Sequence, residues 1–161
     1  MIILFLALLT WGQLVLPCLA MPAAETEAEE TFIDTHKYMT HGELSQFLQR
    51  LQSEHPYLAA LHSIGKSVEG RDLWALELRA NVTKERPLGQ PMMKMVANMH
   101  GDETVGRELL IFLAQYLLNN YGKVSRITKL LNRTDIFLMP SMNPDGYSQS
   151  KVSYAKEISL K

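Results

Sequence analysis

The sequence predicts an α/β fold in which a mixed sheet is flanked by helices. Short apolar runs of strand length are followed by segments with helical periodicity, and turn-forming residues separate them. The 161 residues are 47% hydrophobic and 20% charged, which is typical of one globular domain. The 16 basic residues nearly balance the 17 acidic ones, so the net charge does not favour nucleic acid or an anionic membrane surface as a partner.

The first twenty residues form an apolar run without a charged side chain, and they end in small residues. This pattern predicts a secretory signal peptide over residues 1–20, cleaved after Ala20. An uncleaved membrane anchor is the alternative, but the polar residues and the proline within the run favour cleavage. Cys18 is the single cysteine and would leave with the signal, so we expect no thiol nucleophile and no disulfide in the secreted product. The expected location is the secretory pathway or the extracellular space, with no membrane anchor in this chain.

Residues 21–37 are rich in Ala, Glu and Thr and have no hydrophobic periodicity, which predicts a flexible N-terminus for the mature chain. Thr40 then precedes Glu43 by three residues, the spacing of a capping box at the start of a helix. The helix should end before Pro56. Its apolar residues follow helical spacing and are Leu44, Phe47, Leu48 and Leu51.

Three strands are predicted next. Leu58–Ile64 and Leu73–Leu78 have strand character, and a turn over Gly65–Gly70 separates them. A long polar loop over Ala80–Pro91 leads to a third strand, Met92–Asn98. Because this run is mostly apolar, we expect it to be buried on both faces of a sheet covered by helices.

A longer helix is predicted from about Glu103, and Gly122 should close it. A shorter helix over Ile127–Leu131 leads to a strand at Asp135–Met139 and then to the turn-rich segment Pro140–Tyr147. The longer helix is predicted to bury one broad apolar face, made of Val105, Leu109, Phe112, Leu113, Tyr116 and Leu117.

His100 and Glu103 lie where an apolar strand ends and an amphipathic helix begins, the place where open α/β sheets generally bind ligands. Imidazole nitrogen and carboxylate oxygen are normal zinc donors, and Gly101 lets the backbone bend between them. Taken alone, the pair is a weak signal, and a surface histidine beside a helix-capping glutamate explains it better. The surrounding sequence distinguishes the two interpretations.

Three blocks in order, Leu61–Arg71, Val96–Leu110 and Pro140–Tyr147, resemble the zinc metallocarboxypeptidases. The amino-acid sequences of these blocks are most similar to the regulatory N/E subfamily, and within it to carboxypeptidases D and M. The resemblance extends over residues 38–147. It implies the N-terminal half of a zinc carboxypeptidase-like catalytic domain.

The resemblance implies an exopeptidase that releases one C-terminal residue, in this branch Arg or Lys, from peptides and proteins. Zinc in the family is held by a His, a Glu and a second His, and an open position remains for water. The metal polarises the scissile carbonyl and makes the water more acidic, and a separate Glu acts as general base. His100 and Glu103 take the places of the first two ligands.

The other histidines, at positions 36, 41, 55 and 62, all precede His100, so none matches the second His ligand. The family's Asn-Arg pair, its acidic specificity residue and its catalytic Glu are also expected beyond Lys161. Residues 148–161 diverge from the family. We therefore expect a truncated, inactive form of the enzyme. The alternatives are a non-catalytic secreted fragment that binds peptides or a partner, and a half-domain that does not fold stably.

Other residues have simpler interpretations. Asp102 either tunes the site or is a solvated acid, and Arg71 is either near the substrate groove or an exposed charge at a strand edge. The segment Asn143–Gly146 is predicted to shape a turn, and His62 to be structural. Asn81 and Asn132 begin sequons and are candidate glycosylation sites. A cluster of methionines is predicted to fill the core, namely Met92, Met93, Met95 and Met99.

Overall fold

The computed structural model describes residues 38–150. The predicted signal peptide, the predicted flexible N-terminus and residues 151–161 of the predicted tail lie outside this range. Within it, four helices and four strands have the following bounds: α1 (His41–Glu54), β1 (Ala59–Lys66), β2 (Asp72–Leu78), β3 (Met92–Val96), α2 (Val105–Asn120), α3 (Ser125–Arg133), β4 (Asp135–Met139) and α4 (Pro144–Gln149).

The four strands form one sheet in the order β1-β2-β4-β3. β2 pairs antiparallel with both β1 and β4, whereas β3 and β4 are parallel. The sheet is therefore mixed, and the predicted α/β class is confirmed. Since β3 and β4 run in the same direction, their carboxyl ends meet at one edge, where their following loops lie side by side.

The core lies between one face of this sheet and three helices. Leu76 pairs with Leu138 and Leu78 with Ile136, so these four side chains share a face. They belong to one buried cluster that also contains residues of α1, α2 and α3. Burial of each such large apolar side chain stabilises the fold by about 1.5–3 kcal/mol. The packed face fixes the sheet on which the site is built.

Helix α1 has the predicted capping box. The Thr40 hydroxyl oxygen accepts a hydrogen bond from the Glu43 amide at 3.3 Å, and the Thr40 amide donates to Glu43 Oε2 at 2.7 Å. The helix ends at Glu54, two residues before Pro56. All of its predicted apolar residues are buried, namely Leu44, Phe47, Leu48 and Leu51.

The prediction that the third strand is buried on both faces is wrong. β3 is an edge strand with β4 as its one neighbour in the described sheet, and it ends at Val96 rather than Asn98. Met92, Met93 and Val96 are 45%, 43% and 52% exposed. Met99 is exposed as well, so only Met95 of the methionine cluster packs against the core. An apolar strand can be buried only where elements exist to cover it, and residues 38–150 supply none on the outer side of β3.

The predicted apolar face of α2 is confirmed only in part: Leu117 is buried, and Leu113 and Tyr116 pack against the core. Val105 and Leu109 are 64% and 57% exposed. The buried stripe includes the predicted Leu117 but otherwise runs through different residues: Arg107, Glu108, Ile111, Ala114, Leu118 and Asn120. Apolar residues occupy most of α2, so their periodicity does not single out one face. The position of the sheet decides which face of α2 is buried.

Two local differences concern turns. β1 continues through Gly65 to Lys66, so the turn begins later than predicted. The segment after β4 contains the short helix α4 rather than turns alone. Asn143 caps this helix, its Oδ1 accepting from the Gly146 amide at 2.9 Å. Pro144 occupies the first turn, where its missing N–H group needs no partner.

Candidate functional site

The candidate site lies at the carboxyl ends of β3 and β4. Beyond the sheet, the segments that follow β3 and β4 remain hydrogen bonded to each other. The Met142 amide donates to the Ala97 carbonyl, and the Asn143 amide donates to the Asn98 carbonyl, both at 3.0 Å. The loop that follows β3 carries His100 and Glu103. These backbone contacts hold that loop against the segment that follows β4.

The structure brings His100 and Glu103 together. His100 Nδ1 is 3.0 Å from Glu103 Oε1, and the Glu103 amide donates to the His100 carbonyl at 3.2 Å, which closes a turn. Both side chains are exposed, at 70% and 62%. The hydrogen bond that the His100 imidazole donates to the Glu103 carboxylate, together with the negative charge of that carboxylate, raises the pKa of His100, and the same hydrogen bond lowers the pKa of the Glu103 carboxyl. The two candidate metal ligands therefore contact each other on the solvent-exposed surface.

This pair fits one half of a zinc site. Two N or O ligands at about 2.0–2.1 Å from a tetrahedral zinc ion lie about 3.3 Å apart, close to the observed 3.0 Å. A catalytic zinc site uses three protein ligands. Between residues 38 and 150, however, no group of three or more His, Cys, Asp or Glu side chains converges in a way that could hold a metal.

Asn98 contacts the backbone of the loop that carries His100 and Glu103, a feature that was not predicted from the sequence. Its side-chain Nδ2 lies 2.9 Å from the His100 carbonyl oxygen, 3.2 Å from that of Gly101 and 3.3 Å from that of Glu103. Its Oδ1 accepts a hydrogen bond from the Ser141 hydroxyl at 2.7 Å. Asn98 also has a positive φ of 55°, which Asn adopts more readily than most residues. An Asn, which tolerates a positive φ, two residues before a candidate His ligand was the signal in the sequence that could have identified this residue.

Gly101 is in close contact with Gly146 of α4. A Cβ atom on Gly101 would overlap the carbonyl group of Gly146 and lie 2.7 Å from its Cα. Only glycine lets the two backbones approach this closely. The segment Asn143–Gly146, for which a turn was predicted, therefore contacts the loop of the candidate site directly through its backbone.

A network of polar residues ties α4 to the turn between β1 and β2. Asp145 accepts hydrogen bonds from the Ser67 hydroxyl at 2.7 Å and the Glu69 amide at 3.0 Å, and it forms an ion pair with Arg71. Although burial opposes ionisation, the three donors lower the pKa of Asp145. Arg71 also contacts Glu69 and is half-buried, so it is not an isolated charge at a strand edge.

The remaining candidate residues lie apart from the pair. Asp102 is exposed between the two ligands. His62 is on β1 and lies 2.8 Å from Glu77 Oε2 on β2, consistent with the structural role expected for it. Asn81 is in the loop after β2 with a positive φ of 57°, and Asn132 is in the last turn of α3, where its Oδ1 accepts from the Tyr121 hydroxyl at 2.9 Å.

None of the helices between residues 38 and 150 has both the length and the apolar character needed to span a bilayer.

Comparison with known proteins gives a consistent result. The family model described as zinc carboxypeptidase matches residues 44–156. Carboxypeptidase D of Drosophila melanogaster is 46% identical over 123 residues, which are 76% of this chain and 9% of that protein. Carboxypeptidase M of Mus musculus is 49% identical over 111 residues, 69% of this chain and 25% of that protein. The chain thus spans a quarter or less of the length of these relatives.

Solved structures agree at the level of fold. Carboxypeptidase A from Helicoverpa armigera aligns with a TM-score of 0.64 and 25% identity, covering 79% of this chain and 30% of that one. Thrombin activatable fibrinolysis inhibitor aligns with a TM-score of 0.63 and 23% identity, covering 70% of this chain and 27% of that one. The sheet and helices of residues 38–150 therefore correspond to part of a carboxypeptidase fold.

Proposed function

The chain belongs to the zinc carboxypeptidase family, and on that premise we propose that it supplies part of the catalytic domain of a metallocarboxypeptidase. The enzyme would release C-terminal residues, chiefly Arg or Lys, from peptides and proteins. The observation that carries the proposal is the convergence of His100 and Glu103 at the carboxyl end of β3. The preference for basic residues rests on the similarity of the sequence blocks to the regulatory N/E subfamily.

His100 and Glu103 would hold the zinc ion. When bound, the metal supplies Lewis-acid chemistry, which polarises a carbonyl group and makes water a stronger acid. The chain's own contribution is geometric. Nδ1 of His100 and Oε1 of Glu103 lie 3.0 Å apart, and both side chains project from a loop held by backbone contacts to the segment after β4.

We expect the 161-residue polypeptide to be inactive by itself, because two protein ligands bind zinc much more weakly than three. Purified chain, incubated with zinc and a peptide ending in Arg, should release no free Arg when the reaction is followed by mass spectrometry. Release of Arg that a chelator abolishes would contradict this expectation. The same peptide with an amidated C-terminus is the control for contaminating proteases, since endopeptidases would still cleave it.

A non-catalytic role in binding peptides is the second candidate, and the presence of only two converging donors among residues 38–150 favours it. The inactivity assay distinguishes the two when it is combined with a binding measurement. Saturable binding of the Arg-terminated peptide without cleavage would support this role. Absence of both binding and cleavage would exclude it for the isolated chain.

The apolar run at residues 1–20 directs the chain to the secretory pathway in this proposal. Expression in secretory eukaryotic cells should give a product in the medium whose N-terminal residue is Met21. A product that retains residues 1–20 and stays with the membrane fraction would support an anchor instead.

Glycan attachment is expected at Asn81 in preference to Asn132. Asn81 lies in a surface loop, whereas Asn132 is held in a helix with its side chain bonded to Tyr121. In the same secreted product, Asn81→Gln should remove most of the glycosidase-sensitive shift in gel mobility, and Asn132→Gln should remove little. A larger loss with Asn132→Gln would reverse the assignment.

A further inference from the structure

We propose that Asn98 is a positioning residue for the metal-binding pair, because its side-chain amide holds the backbone of the His100–Glu103 loop. This inference rests on the zinc role proposed for His100 and Glu103. In this proposal a neutral, buried residue orients two exposed metal ligands.

The two ligands are not held by packing. Their side chains are 70% and 62% exposed, so their directions depend on the backbone from which they project. Asn98, by contrast, is only 3% exposed. The amide group is therefore enclosed by protein, whereas the two ligand side chains are surrounded mostly by solvent.

The hydrogen bonds of Asn98 fix the course of the loop. Its Nδ2 faces the carbonyl oxygens of His100, Gly101 and Glu103, which curl around it. Because three acceptors surround one end of the amide, that end must be the nitrogen. Each of these carbonyls lies at or between the two ligands, so loss of the amide would release the whole turn.

The other end of the amide is held just as firmly. Ser141, which is 5% exposed, donates its hydroxyl to Asn98 Oδ1 at 2.7 Å. The backbone carbonyl of Asn98 accepts from the Asn143 amide at 3.0 Å. The side chain of Asn98 thus links the His100–Glu103 loop to the segment that follows β4. Such supporting groups fix ligand orientation, and their removal typically lowers metal affinity about 10–100-fold.

The test uses the 161-residue chain, made without glycans and freed of metal, with Zn²⁺ alone as the probe in isothermal titration calorimetry. Asn98→Gly removes the amide while allowing the positive φ, and Asn98→Asp places an acceptor against three carbonyl oxygens. Both should weaken Zn²⁺ binding at least tenfold. Asn81→Gly is the matched control, because Asn81 has nearly the same φ but lies outside the site. It should bind Zn²⁺ within about twofold of the unmodified chain.

A second variant covers the case in which changes at Asn98 prevent folding. Ser141→Ala leaves Asn98 and its backbone in place and frees only the amide oxygen, so binding should weaken by roughly threefold. Hydrogen exchange gives a readout that needs no metal: the Glu103 amide should exchange about tenfold faster in Asn98→Gly than in Asn81→Gly, because the turn it closes is no longer held.

The outcomes separate this inference from the proposed function. Zn²⁺ binding that is lost in His100→Ala but unchanged in Asn98→Gly and Ser141→Ala would overturn the positioning role alone. Zn²⁺ binding that is unaffected by His100→Ala would overturn the metal role of the pair, and the positioning proposal with it. Weakened binding in the Asn98 variants, with the control intact, supports both.

Discussion

Replacement of Gly101 by alanine is expected to lower Zn²⁺ affinity about a hundredfold, at the upper end of the range for groups that support metal ligands. The new Cβ would overlap the carbonyl group of Gly146, and both partners are backbone atoms that cannot rotate away. Either the loop or α4 must move. Since Gly101 stands between the two ligands, movement of the loop separates His100 from Glu103.

The same change should cost stability, by about 1–3 kcal/mol, as overpacking in a tightly packed region generally does. Zn²⁺ titration and urea unfolding of the same protein samples measure the two effects. Gly42→Ala is the matched control, because a Cβ at Gly42 on α1 meets no atom within 4 Å. Gly101→Ala with Zn²⁺ affinity and stability equal to those of Gly42→Ala would show that the backbone contact has no role.

Replacement of Arg107 by alanine should lower the free energy of unfolding by about 3–5 kcal/mol, the usual cost of removing one partner from a buried ion pair. Arg107 is fully buried on α2 and donates through Nη1 to Glu108. Its guanidinium carbon lies 4.1 Å from the centre of the Tyr147 ring on α4, a desolvated cation–π contact. The substitution therefore leaves a buried carboxylate without this partner and loosens α4.

Urea unfolding followed by circular dichroism measures this loss. Arg107→Lys should recover only part of it, because an ammonium group cannot both stack on Tyr147 and keep the planar hydrogen-bond geometry. Arg50→Ala is the control: Arg50 is exposed on α1 and pairs with Glu54 at 3.8 Å, so its loss should cost less than about 1 kcal/mol. A loss at Arg107 no larger than that at Arg50 would contradict the account.

Local signals in the sequence predicted most of the fold. The Thr40 and Glu43 spacing located the start of α1, and Asp135–Met139 was predicted with the bounds that the structure has. These features depend on residues close together in sequence, where capping and strand patterns act directly. Apart from the short helix α4, the order of strands and helices along the chain followed in the same way.

Burial was predicted less well, because it depends on neighbours that local sequence does not name. The apolar character of β3 suggested a central strand, yet it is at the edge of the described sheet. On α2, Val105 and Leu109 are exposed while Arg107 is buried. A charged residue inside an apolar helix is hard to foresee, since its burial depends on Glu108 and on Tyr147, which is forty residues further along the chain.

In the candidate site, too, local features were predictable and long-range contacts were not. His100 and Glu103 were candidates from their donor chemistry and three-residue spacing, the resemblance of the surrounding blocks to zinc carboxypeptidases selected them, and the structure brings them together. The contacts around the pair were not predictable: Ser141 donates to Asn98, and Asp145 accepts from Ser67 and Glu69 and pairs with Arg71. These contacts join segments more than forty residues apart, and only the folded chain reveals them.

The most direct test of the central claim, that His100 and Glu103 are zinc ligands of a carboxypeptidase, is a chimera. Residues 44–150 would replace the matching segment of mouse carboxypeptidase M, which would supply the rest of the domain. We predict chelator-sensitive release of C-terminal Arg, abolished by His100→Ala or Glu103→Ala and retained in His62→Ala. A folded chimera that stays fully active without His100 or Glu103 would contradict the claim, as would a folded, zinc-loaded chimera with no activity.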